Sequence, residues 1–61
     1  MLPIDMEIVM IVSNLPSKLS ELSKVDADKA IELIQAWGDG KKGVKTIWND
    51  ANNHLSKHVQ Q

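Results

Sequence analysis

Residues 44–59 read VKTIWNDANNHLSKHV and carry the cleanest periodicity in the chain. Val44, Ile47, Trp48, Ala51, Leu55 and Val59 recur at steps of three, one, three, four and four. That is the repeat of one helix face at 3.6 residues per turn, not the alternation of a strand. The other face is uncharged and amide-rich, with Asn49, Asn52, Asn53 and Gln60. A helix of this length is marginal alone in water, so its apolar stripe demands a partner from the rest of the chain.

Working back from Val44, the stretch Gly38–Gly43 (GDGKKG) is the one clear loop, because three glycines in six positions are costly inside a helix. Gly38 is expected to end the preceding helix in the left-handed conformation. In that helix Ala27, Ala30, Ile31, Ile34 and Trp37 line one face with Leu33 beside them, while Asp28, Glu32 and Gln35 take the other. Ser23 to Asp26 has the S-x-x-D form of a helix start, with Asp26 or Asp28 available as cap or first-turn acid.

An N-terminal helix is expected from about Ile4 to Leu15, with Pro3 at a favourable first-turn position and Asp5 and Glu7 complementing the helix dipole. Ile4, Ile8, Ile11 and Leu15 form its stripe, and Met6, Val9, Met10 and Val12 populate its other sides. Pro16 predicts a kink or break near Asn14 and Leu15. Beyond it Leu15, Leu19, Leu22 and Val25 continue the amphipathic path, with Lys18, Glu21 and Lys24 facing out. The Ile/Val-rich start could be a strand, but no second strand-like run exists to pair with it.

The expected architecture is therefore all-α: a small three-helix mini-bundle, a helical hairpin plus an apolar N-terminal helix, in one domain over residues 1–61. Its expected buried surface is Ile8, Ile11, Leu15, Leu19, Leu22, Ile31, Ile34, Trp37, Val44, Ile47, Trp48, Ala51 and Leu55. A chain of 61 residues buries only about 60% of its unfolded surface. Small domains of this kind lean on disulfides, a metal, oligomerisation or unusually good packing, and the absence of cysteine removes the first.

The charge balance excludes several functions. Seven lysines, no arginine and eight acids give a net charge of −1, too weak a field to gather phosphates. Arginine is the commonest specific reader of guanine, and the GDGKKG connector is too long for a helix-turn-helix, so nucleic acid is not expected as a partner. GDGKKG is not a phosphate-binding loop either, because GxxxxGK[ST] after a buried strand is missing. Lys41, Lys42 and Lys45 make a basic patch at an unfavourable helix end, expected to be solvated or paired with Asp39 and Glu32. Asp5 and Glu7 stand where a cleavable leader would be basic, and Ile8–Ser17 falls short of the ~20 apolar residues of a membrane span. The expected location is cytoplasmic or leaderless and envelope-associated.

Catalysis is not expected. Ser13, Ser17, Ser20, Ser23 and Ser56 lack a GxSxG setting, and no paired carboxylates flank a recognisable cleft. No cofactor or small-molecule substrate is implied. His54 and His58 lie one helical turn apart, with Asp50 one turn further back. Adjacent members could share a metal ion, but all three could not, since i and i+8 are about 12 Å apart along the axis. Without a second cluster or HExxH, they are read as surface or boundary histidines and no metal site is assigned.

What remains is apolar surface. Eight of the twelve residues from Ile4 to Leu15 are aliphatic or Met, more than two other helices can cover. The expected function is non-enzymatic association, as a homo-oligomer or with another protein, through Met6, Val9, Met10 and Val12. Trp37 and Trp48 either anchor that face or fill the core, and their positions on the helix stripes favour the core. The alternative is a membrane-associated amphipathic protein, pore-forming or an envelope component, with Lys18, Lys24, Lys41, Lys42, Lys45 and Lys57 reaching to headgroups. In being small, cysteine-free and acidic to neutral, the chain is similar to the short helical porins of mycolic-acid envelopes and to the longer staphylococcal modulins. That likeness is one of composition and carries over neither function nor site residues.

Overall fold

The computed structural model describes residues 5–59, which form three helices: α1 (Met6–Val25), α2 (Ala27–Gly38) and α3 (Val44–Val59). Pro3, Ile4 and Gln60 lie outside the described residues, as does the Val59 side chain. The fold is an all-α small bundle, with no strand among the described residues.

Asp5 is the N-cap of α1, its carboxylate accepting from the Glu7 and Ile8 amides at 3.0 and 3.3 Å. Of the kink or break expected near Asn14 and Leu15, no break occurs: α1 is one helix through Pro16. An interior proline costs about 3 kcal/mol, through a lost hydrogen bond and a clash with the carbonyl four residues back. Ile11 and Leu15 before it, and Leu19 and Leu22 after it, are all buried on one stripe, and each contributes about 1.5–3 kcal/mol only if the helix stays in register. Val12, whose carbonyl loses its donor, lies on the exposed side.

Asp26 alone joins α1 to α2. Its amide donates to the Leu22 carbonyl at 2.8 Å, closing α1, and its side chain accepts from the Lys29 amide at 3.1 Å, opening α2. Ser23 does not act as the cap; its hydroxyl donates to the Ser20 carbonyl at 2.6 Å. Glu7 of α1 reaches Lys45 of α3 at 3.3 Å, and Asp26 reaches His54 at 2.8 Å. Helices α1 and α3 therefore run the same way, and α2 runs back along α1 in the opposite sense. Both pack mainly on α1, and α2 and α3 touch each other less.

Leu15, Leu19, Leu22, Ala30, Leu33, Ile47, Ala51 and Leu55 form the core, with Trp37, Val44 and Trp48 packed on it while partly exposed. Ile31 and Ile34, expected inside, are 52% and 49% exposed. The buried face of α2 is instead Ala30 and Leu33 with Trp37 at its margin, a rotation of more than half a residue step from the expected stripe. With a single residue between the helices, the Asp26 cap fixes how α2 faces α1, and a small side chain at Ala30 permits the close approach.

The turn after α2 also differs from expectation. Gly40, not Gly38, takes the left-handed conformation, with φ of 70°. Its amide donates to the Trp37 carbonyl at 3.1 Å and the Lys41 amide to the Ala36 carbonyl at 2.9 Å, the two bonds of a Schellman motif. Gly38 is the last helical residue, with open space where a Cβ would stand. Gly40→Ala is therefore expected to destabilise by about 1–2 kcal/mol and Gly38→Ala to stabilise by about 0.4–1 kcal/mol, opposite shifts in a urea-unfolding midpoint.

Candidate functional site

Helix α1 has 20 residues and α2 has 12, about 30 and 18 Å long, and α2 starts back along α1 from its C-terminal end. About 12 Å of α1, the stretch Met6–Ser13, thus extends past the end of α2. There Met6 is 70% exposed, and Val9, Met10 and Val12 are 44–45% exposed. Ile11, on the inward stripe of the same stretch, is buried.

Next to this surface, a groove of about 330 Å³ runs between α1 and α2, lined by Pro16, Leu19, Ser20, Ser23, Ile34 and Trp37. Val9 and Val12 stand seven and four residues before Pro16, so helical spacing places them on the ridge that forms the groove wall. Met6 and Met10, one turn apart, lie further round the helix. The four residues expected as a partner face therefore wrap the outer side of α1: Val9 and Val12 continue the α1 ridge that walls the groove, and Met6 and Met10 flank that ridge.

The tryptophans part company. Trp37 lines the groove. Trp48 lies on the α3 side beneath Lys18, whose ammonium stands 5.1 Å from the ring centroid, and is not among the residues lining that groove. Ile34, expected as core, belongs to the exposed apolar surface together with Ile31. A sequence signal for this existed: α2 carries more apolar residues than one narrow stripe can hold.

Two lysines of the basic patch, Lys42 and Lys45, find partners other than those expected. Lys42 pairs with Asp50 at 3.1 Å and Lys45 with Glu7, while Glu32 pairs with Lys29 at 2.8 Å. Asp50 is thereby engaged by Lys42 and is not among the groups gathered with the histidines. The acid that meets them is Asp26, 28 positions before His54 in the chain, with its Oδ2 2.8 Å from His54 Nε2. The His54 and His58 rings stand 5.0 Å apart between centroids, tilted by 54°. The Asp26 carboxyl is held below its ordinary value, chiefly by the Lys29 amide and then by the His54 hydrogen bond. Its contribution to stability is therefore present above the unfolded carboxyl value near ~3.9 and is lost as pH falls through the lower folded value. Spacing along one helix exposes only same-helix neighbours, which is why Asp50 rather than Asp26 was the acid expected beside these rings.

No helix among the described residues is long and apolar enough to cross a membrane. No protein-family model, curated protein or solved structure matches the chain.

Proposed function

We propose that this chain is a non-enzymatic helical association module whose N-terminal half of α1 docks against a second copy of itself. The observation that carries the reading is the exposed apolar set Met6, Val9, Met10 and Val12, on the same helix whose later turns wall the groove at Ile34 and Trp37. Three features favour a second copy as the occupant. The core is built from eight residues, two of them alanine, and self-association supplies the burial that so small a domain lacks. The net charge of −1 sets up almost no repulsion between copies and no field to select an oppositely charged partner. The surface also offers both a ridge, Val9 and Val12, and a groove beside it, as a two-fold contact requires.

Size-exclusion chromatography with light scattering, followed by circular dichroism with and without anionic vesicles, tests this reading. The expected result is a helical oligomer of discrete mass that lipid leaves unchanged. A monomer that becomes helical only on vesicles would replace the reading with a membrane-surface role, and a folded monomer indifferent to lipid would point to a different protein as the cover.

A further inference from the structure

We propose that Asp26, His54 and His58 form a three-ligand site for a divalent transition-metal ion of the zinc class, which clamps α3 to the one-residue junction between α1 and α2. One ligand atom from each of the three lies within 4.8 Å of the other two. Around a tetrahedral zinc ion with bonds of about 2.0–2.1 Å, ligand atoms stand about 3.3–3.4 Å apart. Closure thus needs a contraction of about 1.5 Å, within reach of a side-chain rotation at His58, which is exposed. His54 Nε2 and Asp26 Oδ2 are already closer than that, and the ion takes the place of the proton between them.

The carboxylate is held in place for this role. Asp26 Oδ1 accepts from the Lys29 amide, which fixes the plane in which Oδ2 is presented, the kind of outer contact that orients metal ligands. Two imidazoles and one carboxylate favour zinc, cobalt, nickel or copper over magnesium and calcium, and the half-exposed setting leaves a fourth position to water. The location also matters to the fold. Among the residues of α3 whose side chains are described, Leu55 is the last buried one, and Ser56–His58 beyond it are exposed. An ion at Asp26 and His58 anchors that turn where the core does not reach.

The test titrates Zn²⁺ into EDTA-treated protein by calorimetry and follows thermal unfolding by circular dichroism, with Mg²⁺ as control. The wild type is expected to bind one ion per chain and to gain about 10 °C or more in Tm at a hundredfold excess of free ion over Kd, with Mg²⁺ inert. His58→Ala removes a ligand that makes no hydrogen bond to Asp26. It is expected to leave the EDTA-state Tm unchanged while weakening zinc by tenfold or more. Asp26→Asn keeps a capping side chain and loses the carboxylate, with a similar loss of affinity. Absence of a zinc-induced shift in the wild type, or wild-type zinc affinity in either variant, would overturn the three-ligand site.

Discussion

Leu22→Ala is expected to leave much of the population unfolded at 25 °C. Leu22 is fully buried at the centre of the core. Truncating a buried leucine costs about 2.7–5 kcal/mol, the lost transfer energy plus the cavity left behind. A domain of this size has only about 3–5 kcal/mol to lose. Ile31→Ala, also an apolar truncation but on the exposed side of α2, is expected to cost under about 1 kcal/mol. Urea unfolding of the two variants beside Leu33→Ala checks the orientation of α2. Leu33→Ala should fall with Leu22→Ala, and a loss at Ile31 equal to that at Leu33 would mean that α2 faces α1 through its other side.

Met10→Asp carries the second large effect, on association rather than folding. Met10 is 45% exposed and lies in the second turn of α1, where an added acid is compatible with the helix dipole, so the isolated subunit keeps its structure. In an interface the substitution forfeits apolar burial and places a charge against the partner, at about 2–3 kcal/mol per copy. A two-fold contact presents the change twice, so the dimer dissociation constant should rise on the order of 10³–10⁴-fold. Sedimentation equilibrium of wild type and variant measures it directly. An unchanged association constant would remove Met10 from the interface.

The parts of this fold that could be read from sequence are those where one helix repeat decides the matter. Leu15, Leu19 and Leu22 in α1, and Ile47, Ala51 and Leu55 in α3, lie at helical steps and are buried as that spacing requires. The misreadings share a cause, since each turned on a choice among local options that distant contacts settled. Pro16 disfavours a helix by its own chemistry, yet two buried aliphatic residues on each side of it outweigh the penalty. Ile31 and Ile34 compete with Leu33 for the inward face, and the Asp26 junction decides between them. Helix α2 ends at Gly38 as expected, but the left-handed position falls at Gly40, which only the Schellman hydrogen bonds pick.

The surface residues divide in the same way. That Met6, Val9, Met10 and Val12 exceed the α1 stripe was legible, because a helix apolar on most sides has faces the rest of a short chain cannot cover. The groove beside them was not, since Pro16, Ser20, Ser23 and Ile34 come from two helices whose register no local pattern specifies. Asp26 illustrates the limit most plainly: its capping role follows from local sequence, whereas its approach to His54 depends on α3 returning parallel to α1.

The most direct test of association through α1 is an isotope-filtered NOE experiment on an equimolar mixture of ¹³C-labelled and unlabelled protein, which reports only contacts between copies. Inter-copy NOEs are expected to the methyl groups of Met6, Val9, Met10 and Val12 and to the Trp37 ring. Inter-copy NOEs confined to other surfaces, or none at concentrations where the mass is that of an oligomer, would contradict it.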